Sequence, residues 1–199
     1  HKAVNKMHEM SFLIYNLVIF PMMAGILIVN DDFVQFFLGQ DFQDARYAIA
    51  IMIFRMFFIG WTNIMGIQIL IPHNRNKEFM ISTTAPAIIS VGLNLLFLPK
   101  LGYIGAAIVS VLTEALVWAI QLYFTRRYLK EVPIIGSMTK IILASAIMYG
   151  ILLGSKTVIH FSPTLNVLVF AVLGGIIYLF AILSLKVVDV KELKQFIKK

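Results

Sequence analysis

The sequence contains no cysteine, and only 14% of its 199 residues are charged. The lack of cysteine excludes disulfides and thiolate metal sites and leaves the redox compartment open. Phosphate-binding glycine loops, metal-ligating pairs of histidine and Ser-His-Asp constellations are also missing. Without these motifs the sequence offers few groups for hydrolytic or redox chemistry. We therefore expect no enzyme activity, no cofactor and no bound metal.

Long apolar runs take the place of these motifs. Hydrophobic residues make up 60% of the chain, and the mean hydropathy is +0.88. A helix needs about 20 apolar residues to cross a bilayer, and six runs meet this need: 12–29, 47–71, 79–98, 103–124, 134–153 and 165–187. Membrane strands would instead alternate in polarity over about ten residues. The sequence therefore predicts an all-α, polytopic bundle of six transmembrane helices.

Basic residues are unevenly divided between the connections. If the N-terminus is cytoplasmic, the outer side carries only Arg46, Lys100 and Lys156, and Arg55 lies within a span. The cytoplasmic side then holds Lys2, Lys6, Arg75, Lys77, Arg126, Arg127, Lys130, Lys140, Lys186, Lys191, Lys194, Lys198 and Lys199. This split follows the positive-inside rule and predicts that both termini are cytoplasmic. The net charge of +7 is thus a topology signal, and we expect no binding to nucleic acid.

Short connections predict that consecutive helices are antiparallel neighbours. We divide the chain into a four-helix unit (1–130), two further spans (131–187) and a basic amphipathic tail (188–199) that lies against anionic cytoplasmic lipid. After the first span, Asp31 or Asp32 is expected to cap a separate short helix that ends at Gly39. The tail and the short helix are both expected at membrane surfaces.

Arg55 is a charge inside the second span, about eight residues or roughly 12 Å from its outer end. Thr62 and Gly66 share its helix face, at i+7 and i+11. An intramembrane charge costs about 2.5–3.5 kcal/mol on insertion scales, so Arg55 should face the bundle interior or water. One interpretation is an anion site, because a guanidinium suits phosphate oxygens and keeps its charge when desolvated. The others are a structural ion pair or an arginine that snorkels outward.

Glu114 lies eleven residues into the fourth span, close to the bilayer midplane. A stripe of small and polar residues shares its face: Tyr103, Ala107, Ser110, Gln121 and Thr125. A carboxylate at this depth can be protonated, bind a coupling cation or pair with Arg55, whose depth differs by about one helical turn. Asn63, beside Thr62, fits either helix packing or a ligand contact. The candidate substrate-binding residues are Arg55, Thr62, Asn63, Ser110, Glu114 and Gln121.

Two stretches of the sequence carry a family resemblance. Residues 37–42 (Phe-Leu-Gly-Gln-Asp-Phe) precede a span that ends near Gly-Ile-Gln-Ile-Leu-Ile-Pro at 66–72. Residues 93–110, with the pattern Asn…Pro-x-x-Gly-x-x-Gly-Ala-Ala, run on to Thr113 and Glu114. Together they resemble the C-terminal half of bacterial polysaccharide-biosynthesis flippases, whose superfamily also holds multidrug extruders and lipid II flippases. The resemblance is strongest over residues 33–125.

The resemblance implies a transporter of twelve to fourteen helices in two pseudo-symmetric lobes around a central cavity. This chain would supply the last four helices of the second lobe and two extra C-terminal helices. The absence of an initiator methionine fits a missing N-terminal lobe.

The implied activity is transfer of an undecaprenyl-diphosphate-linked oligosaccharide across the bacterial cytoplasmic membrane by alternating access. Membrane lipids, the N-terminal lobe, a polysaccharide polymerase and glycosyltransferases are the implied partners. A cation-coupled multidrug extruder and a non-transporting scaffold of a polysaccharide synthase complex remain alternatives. Arg55 and Glu114 are inferred from depth and helix face alone, and not from the resemblance.

Overall fold

The computed structural model describes residues 2–130, 132–158 and 161–187, and this part of the chain is helical without strands. Its α-helices are α1 (Lys2–Phe37), α2 (Ala45–Asn63), α3 (Asn76–Leu129), α4 (Ile134–Lys156) and α5 (Pro163–Ser184). A 3₁₀ helix (Gln40–Phe42) precedes α2, and a π-helix (Ile64–Leu70) continues it. Within the described residues, five helices are long and apolar enough to cross a membrane. The predicted amphipathic tail, 188–199, lies outside these residues.

Helix α3 is bent back on itself. A straight helix of its 54 residues would be about 81 Å long, far more than the roughly 30 Å of a bilayer core. Gly102 has φ 54° and ψ −138°, a left-handed conformation that favours glycine. A Cβ built on Gly105 would lie 2.6 Å from the carbonyl oxygen of Phe97, although a straight helix separates such residues by about 12 Å. The chain therefore reverses direction between Phe97 and Gly105.

The two arms of α3, residues 76–101 and 103–129, run side by side. Gln121 Nε2 donates a hydrogen bond to Ser82 Oγ at 3.3 Å. Nearer the ends of the arms, Arg75 Nη1 donates to the carbonyl oxygen of Phe124 at 3.1 Å. The third and fourth apolar runs of the sequence are these two arms. Because the two arms count as one helix, five candidate spanning helices correspond to the six predicted apolar runs.

Helix α1 runs without a break to Phe37, so the prediction of a separate short helix beginning at Asp31 or Asp32 is wrong. The two carboxylates bond to other elements and do not cap backbone N–H groups. Asp31 pairs with Arg46 at 3.5 Å, and Asp32 pairs with Lys156 at 3.2 Å. The predicted end is confirmed, since α1 stops just before Gly39, which has φ 88°.

Helix α1 is the centre of the bundle and packs against α2, α4 and α5, while α3 packs against α2. The predicted neighbour relation holds for α1–α2, α2–α3 and α4–α5, but α4 packs mainly on α1 and not on α3. Apolar side chains explain this docking, because Ile28 and Val29 of α1 share a core with Met148 and Leu152 of α4. Helix α2 is thus placed between α1 and α3.

Three connections lie together at one end of the bundle. Lys156, at the end of α4, bonds to the carbonyl oxygen of Ile28 at 2.7 Å as well as to Asp32. Tyr103, beside the bend of α3, donates from its hydroxyl to the carbonyl oxygen of Asp44 at 3.2 Å. The α1–α2 connection, the bend of α3 and the end of α4 are therefore neighbours, as expected for connections on one side of a membrane.

Candidate functional site

Arg55 of α2 and Glu114 of the second arm of α3 form an ion pair. Arg55 Nε lies 3.7 Å from Glu114 Oε2. The glutamate side chain is 16% exposed and the arginine side chain 40% exposed. From the sequence, Glu114 could be protonated, bind a coupling cation or pair with Arg55. The structure has the pair with Arg55.

Thr62 completes the site from the same face of α2. Its Oγ1 lies 3.1 Å from Glu114 Oε1 and 2.9 Å from the carbonyl oxygen of Ile59. A hydroxyl has a single proton, so Thr62 donates to one of these acceptors at a time. Each oxygen of the carboxylate thus faces one partner on α2.

The ion pair leaves the guanidinium with unused hydrogen-bonding capacity. Charge-assisted N–H···O bonds are about 2.7–2.9 Å long, so a separation of 3.7 Å is an ionic contact without a hydrogen bond. Arg55 Nε is buried and has no hydrogen-bond partner. The Arg55 side chain as a whole is 40% exposed, and its neighbours in the sequence Phe54 and Met52 are exposed apolar residues. A charge in such a place requires water or protein opposite it, and its free N–H groups suit an anion.

An aromatic cluster lies on the next turn of both helices. The ring of Trp118 is 5.7 Å from that of Phe58 and 6.3 Å from that of Trp61. Trp61 Nε1 donates to Asn16 Oδ1 at 3.0 Å, whereas Trp118 Nε1 is buried without a partner. Sequence reasoning missed Trp118. Its position four residues after Glu114, on the same helix face, was the available signal.

The other candidate residues lie elsewhere. Gln121 is buried, but seven residues of helix place it about 10 Å from Glu114 along the axis. There it bonds to Ser82 in a second polar cluster. Asn63 is exposed, and Ser110 is half-buried one turn before Glu114. Of the six candidates, the structure joins Arg55, Thr62 and Glu114 directly.

The π-helix connects the two polar clusters, and sequence reasoning did not predict it. At its end, Ile71 N donates to the carbonyl oxygen of Gly66 at 3.1 Å, five residues earlier. A Cβ on Gly66 would lie 2.6 Å from the Phe79 ring and 3.1 Å from Gln121 Nε2. The glycine therefore allows both arms of α3 to approach the end of α2. Segments of π-helix are frequent near functional sites.

Metal binding has no support in the described part of the chain. Within residues 2–130, 132–158 and 161–187, no three His, Asp or Glu side chains are grouped closely enough to hold an ion. The chemistry that this site offers is charge recognition: a guanidinium with free donors, beside a carboxylate that limits the net charge.

Comparison with known proteins gives a partial match. The chain is similar to a curated protein of Escherichia coli (strain K12) named "Putative O-antigen transporter", with 33% identity over 89 residues. The matched segment is 45% of this chain and 21% of the relative, so the match covers only about a fifth of the relative's length. No family model matches the chain, and no solved structure matches it significantly. Together with the apolar helices, the similarity suggests a multi-pass membrane protein, part of which resembles part of that relative.

Proposed function

We propose that this chain is part of a flippase that moves undecaprenyl-diphosphate-linked oligosaccharide units across the bacterial cytoplasmic membrane. The observation that carries the proposal is the under-coordinated guanidinium of Arg55, which Glu114 holds within apolar helices. The similarity to a relative named as an O-antigen transporter supports polysaccharide as the class of cargo.

The chemistry of the cargo fits the site. A diphosphate must leave water to pass through the membrane, and planar N–H donors replace its hydration in two-pronged contacts. The neighbouring carboxylate of Glu114 keeps the site close to neutral when it is empty. It also weakens the hold on the anion, so that the cargo can leave on the other side. The polyprenyl tail needs no polar site and stays in lipid.

The topology proposed for this function has six crossings, with both termini in the cytoplasm. Each arm of α3 has about 26 residues and therefore spans roughly 39 Å as a helix, enough for one crossing. The grouping of Lys156, Tyr103 and Asp44 at one end of the bundle supports a common outer side. Under this topology the division into residues 1–130, 131–187 and 188–199 remains a prediction.

Transport also needs a second lobe, which we place opposite the exposed side of Arg55. The side chain is 40% exposed, and lipid is a poor environment for that part of it. In our proposal a second, N-terminal lobe faces this surface across a water-filled cavity. Rocking of the two lobes then exposes Arg55 to each side of the membrane in turn.

The test is export by the full-length protein in a strain that lacks its own flippase. Arg55→Ala should abolish surface polysaccharide while the amount of protein in the membrane is kept. Arg55→Lys should retain only part of the export, because an ammonium is a point charge without a planar fork. Arg126→Ala is the matched control, since Arg126 is exposed and stacks on Tyr123 at 4.5 Å, away from the site. Normal export by Arg55→Ala at wild-type abundance would overturn the proposal.

A further inference from the structure

The carboxylate of Glu114 has one close partner and one distant partner. Its Oε1 lies 3.1 Å from the Thr62 hydroxyl, but its Oε2 is 3.7 Å from Arg55 Nε. The second separation is too long for a hydrogen bond. One oxygen of a mostly buried carboxylate therefore still has room for a donor, and no hydrogen bond ties Arg55 to it.

A buried donor without a partner lies on the next turn. Trp118 Nε1 is buried and makes no hydrogen bond. Trp118 follows Glu114 by four residues in the same arm of α3, and helical side chains lean toward the N-terminus. The i,i+4 spacing therefore puts the indole and the carboxylate at neighbouring positions of one helix face. Its ring also contacts Phe58, three residues after Arg55.

Packing by itself does not explain an indole at this position. The aromatic cluster uses only ring faces and edges, which a phenylalanine also provides. Trp61, in the same cluster, satisfies its N–H through Asn16. The N–H of Trp118 remains unsatisfied in the described structure. An unsatisfied buried donor one helical turn from a carboxylate with one free oxygen suggests a bond that forms in another state.

We propose that Trp118 is a positioning residue. Its indole N–H donates a hydrogen bond to the Glu114 carboxylate when an anionic group of the substrate binds Arg55. The inference rests on the proposed function. A diphosphate and Glu114 compete for the same guanidinium. Once Arg55 has turned to the diphosphate, Glu114 would be left with Thr62 alone, and an unpaired buried carboxylate is costly. The bond from Trp118 removes much of that cost, so the exchange favours substrate binding.

The first test is binding of undecaprenyl diphosphate to the full-length protein in detergent micelles. Trp118→Phe keeps a ring in the cluster but removes the N–H. Because hydrogen bonds to charged groups are stronger than neutral ones, we expect binding to weaken about tenfold with an unchanged Tm. If Trp118→Phe lowers the Tm, β-(3-benzothienyl)alanine at position 118 replaces it, since that residue keeps the indole shape without the N–H. Wild-type affinity in the variant with the unchanged Tm would overturn the inference.

The second test is a double-mutant cycle with Glu114→Gln, which a merely structural role for Trp118 would not affect. A neutral amide does not need the indole N–H as a replacement partner. In the Glu114→Gln background, loss of the N–H should therefore have little further effect on affinity. An equal loss in both backgrounds would show that Trp118 acts independently of Glu114 and would also overturn the inference.

Two further variants in the same assay separate the possible failures. Arg55→Ala reports on the proposed function, and wild-type affinity in that variant would overturn both proposals. Loss of binding in Arg55→Ala together with wild-type affinity in the position 118 variant overturns only the role of Trp118. Trp61→Phe is the matched control. It removes the bond to Asn16, so we expect a lower Tm without coupling to Glu114→Gln. Coupling as large as that of Trp118 would show that the effect is not specific to the Trp118 N–H and would overturn the inference.

Discussion

Thr62 and Glu114 are 52 positions apart in the sequence, but Thr62 Oγ1 lies 3.1 Å from Glu114 Oε1. This contact brings together the two polar stripes, one on α2 and one on the second arm of α3. Arg55, two helical turns from Thr62 on the same face, reaches the other carboxylate oxygen at 3.7 Å. The Glu114 side of the site is therefore mostly buried against α2, and the Arg55 side chain is the part of the site that stays accessible.

Loss of the Glu114 charge should destabilise the protein. In Glu114→Gln, the partly buried Arg55 loses its counter-ion, at a cost between that of a surface pair and that of a buried one, roughly 1–2 kcal/mol. The measurements are the Tm in detergent and the amount of protein in the membrane. Asp31→Asn is the control, because Asp31 and Arg46 form an exposed pair worth at most about 1 kcal/mol. Unchanged abundance, with export that no longer depends on an ion gradient, would instead indicate a cation site at Glu114.

The reversal of α3 at Gly102 should place its two ends on the cytoplasmic side. The chain has no cysteine, so single cysteines can be introduced into it without a native background, and any cysteine in the rest of the protein is removed first. Labels at Asp31, Lys100 and Lys156 should react from outside, and labels at Asn76 and Lys130 only from the cytoplasm. If positions 76 and 100 were accessible from the same side, the first arm of α3 would not be a crossing.

Residues 1–199 expressed alone should insert into the membrane but should not transport. Arg55 is 40% exposed on this chain, which therefore forms only one wall of the proposed cavity, and alternating access needs two lobes. The measurement is surface polysaccharide in a flippase-null strain. The full-length gene is the positive control, and membrane fractions show whether the fragment is inserted. Restored polysaccharide with a monomeric fragment would contradict the prediction.

Gly66→Ala should destabilise the junction between α2 and α3. The new methyl group would lie 2.6 Å from the Phe79 ring and 3.1 Å from Gln121 Nε2, and overpacking of this kind costs about 1–3 kcal/mol. Gly150→Ala is the matched control, since a Cβ there meets nothing within 4 Å and alanine favours a helix. Thermal unfolding in detergent compares the two. Equal Tm values would mean that the Phe79 ring moves aside without cost.

Local properties of the sequence determined the class of protein and the position of its helices. An apolar run must satisfy its own backbone hydrogen bonds in lipid, so its length and composition are enough to predict a spanning helix. The shared face of Arg55 and Thr62 follows from the helical period alone. The end of α1 before Gly39 follows from the freedom of glycine to take a positive φ.

Only the tertiary structure decided which of the predicted residues meet. Gln121 is on the face of Glu114, but it lies about 10 Å farther along the axis and bonds to Ser82. Asp32 appeared suited to cap a helix, yet it pairs with Lys156 of α4. The rotation and axial shift of one helix against another depend on how side chains from distant parts of the chain pack. The periodicity of a single helix contains no information about that packing, and so the ring contacts and unpaired N–H of Trp118, and the π-helix, became visible only in the folded structure.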